Sequence, residues 1–317
     1  MKAPGVLVNL RAGRVRRDPS LVGRLERLVP RGYLEATTEP QQLPEALKRL
    51  REAGVETLGV VGGDGTVTWT LTALLRTWPA EKRPALILLG GGTLNTIPHS
   101  VSGRARPDHI LARLRGRGSA LVATYRSVLR VEAAGEKPHY GMIFANGAPP
   151  RWLSHYNSGV YKGVLGAAGG VIRSLGSVAL GGSLARELFA PFEGEVEVDG
   201  EALLDDRFTG MAAGAVQHIG LGFKPFLSIP REGRVGRFHW VTTEAGGAGL
   251  AMELPTVRLG IRPPLTNLRH ASARSVRIRL ARPEPFTVDG DLFPPARDLR
   301  IDAGPPLCFL TSEAARS

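Results

Sequence analysis

Two stretches of this chain carry the residue types of a phosphate site. Val60-Val61-Gly62-Gly63-Asp64-Gly65-Thr66 runs from an apolar segment into glycines and resumes as a helix-like segment, and Leu88-Leu89-Gly90-Gly91-Gly92-Thr93-Leu94-Asn95 does the same. Glycine reaches positive φ and lets a ligand come close to the backbone. The N–H groups of such a loop, at a helix N-terminus, attract phosphate. One glycine loop is weak evidence; two, separated by a single strand–helix–strand unit, are much stronger. A right-handed crossover makes the two strands parallel, so both loops emerge at the carboxyl edge of the sheet. The expectation is a nucleotide clamp made of two loops. Thr66 and Thr93 can donate hydroxyls to phosphate oxygens. Ordinary N-capping also accounts for Thr93 and Asn95, and is compatible with that role.

The elements that must hold these loops read as a doubly wound α/β domain over residues 1–120. Val6 to Leu10 is a first strand. Asp18-Pro19 predicts an N-cap with proline at N1, and Leu21, Val22, Leu25, Leu28 and Val29 follow at helical spacing. Thr37-Thr38 reads as a turn or cap. A second helix runs from about Gln41 to Ala53 and stops at Gly54. Thr57–Val61 and Ala85–Leu89 are strands, with a helix over Thr66–Thr77 between the loops.

From about Leu121 the texture changes to short β-like runs, among them Leu121–Val131, Tyr140–Phe144, Ser275–Leu280 and Phe286–Val288. Asp199-Gly200 and Asp289-Gly290 sit where tight hairpin turns belong. The expectation for 121–310 is an antiparallel β-rich sandwich domain whose last strands return to the first domain. Ser158–Leu184, rich in Gly, Ala and Ser, reads as a close-packed connector.

Composition bounds the function. At 317 residues with a 43% apolar fraction, the chain is long enough for two domains with real cores. No apolar run reaches 18 residues, so no transmembrane segment is expected. The apolar part of the N-terminus is too short for a signal peptide, which makes a cytoplasmic location the expectation. Cys308 is the single cysteine, which rules out an intramolecular disulfide and a cysteine zinc cluster. The net charge of +12 suits a nucleotide, an anionic lipid surface or nucleic acid. The excess is nearly all arginine beside abundant Ala, Gly and Pro, a pattern a GC-rich genome produces equally well. The arginines are dispersed and no aromatic-interleaved basic stretch occurs, so no nucleic-acid partner is expected. No Walker-type loop and no Gly-x-Ser-x-Gly elbow is present.

The pair of loops resembles the catalytic domain of the diacylglycerol and sphingosine kinases. Gly62-Gly63-Asp64-Gly65-Thr66 matches that family's nucleotide loop, and Gly92-Thr93-Leu94-Asn95 is similar to its Gly-Thr-x-Asn loop. Asn9-Leu10-Arg11-Ala12-Gly13 resembles the Asn-Pro-x-x-Gly turn, and Thr38 stands where the family has a nucleotide-contacting threonine. Downstream, Val288-Asp289-Gly290-Asp291 resembles the Asp-Gly-Glu signature, and Arg231-Glu232-Gly233 the magnesium loop. NAD kinases and phosphofructokinases share Gly-Gly-Asp-Gly-Thr; the second loop and the distal Asp-Gly-Asp favour the lipid kinases. The chain departs from the family pattern at Thr68, Trp69, Thr96, Glu232 and Asp291.

The resemblance implies an ATP- and Mg²⁺-dependent kinase that phosphorylates a lipid hydroxyl in phospholipid metabolism, acting peripherally at the inner membrane face. By the same resemblance, Asn9, Gly13, Thr38, Gly62, Gly63, Asp64, Gly65, Thr66, Gly92, Thr93 and Asn95 contact the nucleotide. Asp291, with Asp289 beside it, takes the acceptor's proton, and Glu232 stands at the metal. Asn9 and Asn95 are expected to fix their turns through side-chain amides. Asp64, too close to phosphate to serve as a bare anion, orients the loop by accepting N–H bonds or reaches Mg²⁺ through water. The alternatives are a nucleotide or lipid sensor whose acids have drifted and an NAD kinase-like enzyme. A homodimer is left open.

Overall fold

The computed structural model describes residues 3–92, 95–103, 106–115, 121–157, 182–229, 234–262 and 266–312. They fall into two compact units. One holds the described residues up to Arg126 and from Pro306 on; the other holds those between Ser127 and Pro305.

In the first unit the apolar runs form parallel strands. They are β1 (Gly5–Asn9), β2 (Leu34–Thr37), β3 (Thr57–Gly62) and β4 (Ala85–Gly90), side by side in the order β2-β1-β3-β4. The returning C-terminal stretch pairs in parallel with β4, Phe309 against Leu86. β3 is buried along its whole length, as a strand covered on both faces must be. The helices are α1 (Gly13–Arg17), α2 (Ser20–Glu26), α3 (Leu43–Glu52), α4 (Asp64–Thr77), α5 (Thr96–Ser102) and α6 (Pro107–Arg115). Leu21 and Leu25 of α2 pack with Val6, Val8, Val61, Ile87 and Leu89 in one core. The strand order reverses between β1 and β3, and the crevice at that point is where doubly wound sheets bind ligands.

Three expectations need correction here. Residues up to Thr37 form β2, a half-buried strand of four residues, too short to stand out by alternation. α4 starts at Asp64, two residues before the expected Thr66. Asp18 does not cap α2: its carboxylate accepts from the Ser20 hydroxyl (2.6 Å) and from Arg24 Nη2 (2.6 Å), while Pro19 takes the cap position with no side-chain bond.

The second unit is β-rich. β5 (Leu121–Ala133) begins in the first unit and continues into the second, followed by β6 (His139–Gly141), β7 (Ile143–Gly147), α7 (Ala148–Asn157) and α8 (Ser183–Leu188). After these come β8 (Phe192–Val198), β9 (Glu201–Ala202), β10 (Arg207–Phe208), β11 (Gly210–Gly214) and β12 (Phe238–Thr243). The chain closes through α9 (Gly247–Leu259), β13 (Arg269–Ala273), β14 (Ser275–Val288) and β15 (Asp291–Ser312). Within this unit the antiparallel order is β13-β12-β11-β7-β14-β15, and β8 also pairs with the first half of β14. The two runs expected at Ser275–Leu280 and Phe286–Val288 are one strand. Register shifts between Arg279 and Phe286 let its first half pair with β8 and its second with β7. Most of the connector expected at Ser158–Leu184 (158–181) lies outside the described residues.

Candidate active site

The carboxyl ends of β1, β2, β3 and β4 place Asn9, Thr38, Gly62 to Thr66 and Gly92 at one edge of the first unit. Asn9 bridges two of them. Its Nδ2 donates to Thr66 Oγ1 (2.8 Å) across the β1/β3 switch point, and its Oδ1 accepts from the Arg11 amide (2.9 Å). The Ala12 amide returns to the Asn9 carbonyl (3.1 Å) and closes the turn that leads into Gly13 and α1. Thr66 accepts from Asn9, which leaves its hydroxyl proton for a ligand oxygen.

The two glycine loops touch backbone to backbone. The Gly91 amide donates to the Gly62 carbonyl (2.8 Å). A Cβ on Gly92 would stand 2.5 Å from the Gly63 Cα, and one on Gly62 would stand 2.3 Å from Thr66. Close approach therefore dictates glycine here, and Gly62, Gly63 and Gly92 all keep negative φ. Gly92→Ala should push the loops apart by the better part of an ångström, since the opposing atom is backbone. A misplacement of about 1 Å can cost about 10²-fold in rate. If the loops serve the kinase chemistry that the sequence resemblance implies, transfer from labelled ATP should fall by at least that factor in this variant.

Asn95 builds the second turn around itself. It sits in the left-handed region (φ 53°, ψ 40°) with its side chain buried, accepting from the Gly92 amide (2.6 Å) and donating to the Gly92 carbonyl (2.8 Å). Asparagine tolerates this backbone conformation better than other residues with a Cβ. Thr93 lies outside the described residues.

Asp64 is a clamp between loops. Its Oδ2 accepts from the Thr96 amide (3.1 Å) and its Oδ1 from the Ile97 amide (2.8 Å), so the first turn of α4 caps the first turn of α5. A carboxylate there also opposes the positive end of the α5 dipole. The two bonds are of the kind expected of Asp64 as an orienting carboxylate. The α5 amides are thereby occupied. The first-turn amides of α4, which have no partner within the helix, are the ones oriented for an anion.

Arg14 was not singled out by the sequence reading. Its amide donates to the Gly91 carbonyl (2.7 Å) and its Nη1 to the Gly90 carbonyl (3.0 Å), so it straps α1 to the second loop. No local sequence signal marks it, because its partners lie 76 and 77 positions away. Thr38 stands after β2 in a capping arrangement: the amides of Thr38 (2.7 Å) and Glu39 (3.3 Å) both donate to Gln42 Oε1. Arg11 pairs with Glu39 (2.9 Å). Glu232 lies outside the described residues. Among the described residues no group of three His, Cys, Asp or Glu gathers in a way that could hold a metal ion.

Asp289 and Asp291 belong to the second unit, and the chain contains an internal control for them. Asp289 begins a hairpin turn at φ 53°, followed by Gly290 at 93°; Asp199 and Gly200 repeat this at 53° and 91°. Both aspartates face two consecutive amides of a neighbouring segment. Asp289 Oδ1 accepts from Met142 (2.9 Å) and Ile143 (2.7 Å), and Asp199 Oδ1 from Arg274 (2.6 Å) and Ser275 (2.9 Å). Even the return bonds match, Asp289 N to the Ile143 carbonyl and Asp199 N to the Ser275 carbonyl, each 2.9 Å. Asp289 thus does the same fastening work as Asp199. It also explains why the strand expected over Tyr140–Phe144 breaks at Met142: that amide and the next turn to a carboxylate. Asp291 follows the turn, opposite Val288, half-buried at the start of β15.

The shared device has a pH signature at Asp199. Partial burial raises its pKa, but the amides of Ser275 and Arg274, with Arg237, outweigh this and hold it below the ordinary 3.8. A depressed folded-state pKa means the contribution is present above about 3.8 and is lost as pH falls through the lower, folded value. Asp199→Asn should cost about 1 kcal/mol at pH 7. In urea unfolding, the gap to wild type should narrow toward pH 3.

His239, which has no ligand-like spacing in the sequence, is buried against a hydroxyl and a second ring. Ser228 Oγ lies 2.6 Å from Nδ1 and His270 Nδ1 lies 2.8 Å from Nε2. Burial, then His270, Arg262 and Arg234, push its pKa down to about 3, so it is neutral and a poor base near pH 7.

Residues 4–124 match the family model described as the diacylglycerol kinase catalytic domain. That span holds both glycine loops, Asn9, Gly13 and Thr38. Among solved structures, the chain is similar to a diacylglycerol kinase from Bacillus anthracis Sterne, at 17% identity and TM-score 0.60, covering 96% of both chains. It is also similar to a chain from that organism described as a "putative diacylglycerol kinase", at 19% identity and TM-score 0.69, covering 99% of this chain and 97% of that one. At these identities the likeness is one of fold. No curated protein matches the chain. Among the described residues no helix is long and apolar enough to cross a membrane.

Proposed function

We propose that this protein is a lipid kinase that moves the ATP γ-phosphate to the hydroxyl of a diacylglycerol- or sphingosine-like acceptor. The observation that carries the reading is the junction of two glycine loops, held by Asn9, Asp64 and Asn95, at the first turn of α4. Phosphoryl transfer asks mainly for positioning and charge neutralisation. The α4 amides and the Thr66 hydroxyl supply donors to the phosphates, Asp64 keeps the two loops in register, and Arg14 ties α1 to the second of them. Mg²⁺ arriving with the nucleotide would supply charge neutralisation at the phosphates. Asp291 is the proposed general base: the acceptor oxygen bonds to the γ-phosphorus, ADP leaves, and the acceptor proton passes to the Asp291 carboxylate. Such a base supplies typically 10²–10⁴-fold. Asp289, engaged with two amides, positions the turn that presents it.

The test is incubation with labelled ATP and Mg²⁺ against a panel of diacylglycerols and sphingoid bases, with NAD in parallel. Label in a lipid is the expected result. ATP binding without transfer to any acceptor would make the protein a nucleotide sensor, and label in NAD would make it an NAD kinase-like enzyme; either result overturns the proposal.

A further inference from the structure

α9 is apolar on nearly every side, and only part of that surface is covered: Leu250, Leu254 and Val257 are half-buried. A surface helix ordinarily turns its carboxylates to water and its apolar stripe inward. Here the helix's one acid, Glu253, is 6% exposed. Its Oε1 accepts from the Asn267 amide (2.7 Å), and its Oε2 lies 3.3 Å from the Thr256 hydroxyl, which fixes the helix's rotation. The opposite side carries Ala248, Met252, Pro255 and Leu259, spaced i, i+4, i+7 and i+11, which is one helical stripe, and all four are exposed. Met252 is 73% and Leu259 66% exposed. Gly260 then turns the chain at φ 73°, and Ile261 continues the patch at 54%.

Cations border the stripe at its C-terminal end. Arg258 lies beside it and donates to the Gly222 carbonyl (3.0 Å), Arg262 follows Ile261 and is exposed, and the Lys224 stem packs against Gly260. An apolar strip ending in basic groups matches the chemistry of an anionic bilayer, acyl chains below and phosphates above. A second copy of the chain suits it less well. A two-fold pairing centred on the most exposed apolar groups at that end, Leu259 and Ile261, would bring the two sets of arginines toward each other.

We infer that the outward stripe of α9 is the surface on which this protein rests on an anionic lipid bilayer, with Met252, Leu259 and Ile261 entering the acyl region and Arg258 and Arg262 meeting the headgroup phosphates. The inference deepens the lipid-kinase reading by naming the membrane-contact surface, and it is tested without catalysis.

The full-length protein should co-sediment with vesicles of phosphatidylglycerol and phosphatidylcholine, and only weakly with phosphatidylcholine alone. The double variant Met252→Gln/Leu259→Gln should bind the anionic vesicles about tenfold or more weakly. Its thermal midpoint should not change, because both side chains already face water. Arg262→Gln should weaken binding to anionic vesicles about fivefold. As a measurement independent of any loss of folding, Ile261→Trp should add emission that shifts to the blue when those vesicles are added. Transfer to a short-chain diacylglycerol dispersed as monomers should be unaffected in the double variant, so failure of docking and failure of the kinase reading are separable. The inference is overturned by wild-type protein that ignores anionic vesicles, by a double variant that binds them equally well, or by added emission in the Ile261→Trp variant that does not shift. A wild-type dimer that the double variant dissociates would also overturn it.

Discussion

Asp64→Ala will abolish measurable transfer and loosen the first unit at the same time. The carboxylate holds the Thr96 and Ile97 amides at 3.1 and 2.8 Å. Each hydrogen bond to a charged group contributes about 1.5–3 kcal/mol, so loss of about 3 kcal/mol or more is expected in denaturant unfolding. The catalytic effect follows from position. With the clamp gone, α5 and the second loop are free to shift against α4, and a shift of about 1 Å costs about 10²-fold. Asp64→Asn separates the two consequences. It keeps one acceptor but turns an NH₂ toward the second amide, so stability should recover in part while transfer stays low. If Asp64→Ala transferred phosphate at the wild-type rate, the loops would not act as one unit.

The second large effect distinguishes two acids that the sequence places side by side. Asp291→Asn should lower transfer by about 10²–10⁴-fold while ATP affinity and thermal midpoint stay near wild type. Asp289→Asn should behave the other way in stability. It leaves the Met142 and Ile143 amides without a carboxylate, as Asp199→Asn does for Arg274 and Ser275. Asp199→Asn should leave transfer unchanged. Kinetics and urea unfolding on the three variants check this pattern. A rate loss equal in Asp199→Asn and Asp291→Asn would mean that only folding is being measured. Asp291→Glu should retain activity, since it keeps a carboxylate at the same backbone position, with the longer side chain of the Asp-Gly-Glu signature that this segment resembles.

What could be read from the sequence follows how local each constraint is. The glycine loops were legible because close approach leaves only glycine, and Gly62 and Gly92 meet that condition. The Asp-Gly hairpins were legible because both central residues need positive φ. The α3 helix announced itself through Leu43, Ala46, Leu47 and Leu50, all buried. Less local features were not legible. β2 is four residues long and half-buried, so neither length nor alternation marks it. The break at Met142 depends on a carboxylate 147 positions away. The clamp at Asp64 depends on amides 32 and 33 positions on, a distance over which no local pattern points. α9 escaped because it is apolar on nearly every side, with Leu250, Leu254 and Val257 half-buried and Met252 and Leu259 exposed, so no periodic signal marks it.

The central claim is that a triphosphate rests where the two loops meet. Amide hydrogen exchange with and without ATP and Mg²⁺ tests it most directly. The account predicts slowed exchange confined to 62–67 and 90–97, with the α4 first turn most protected, and loss of that protection in Gly92→Ala. Protection elsewhere in the chain with those two segments unchanged would contradict it.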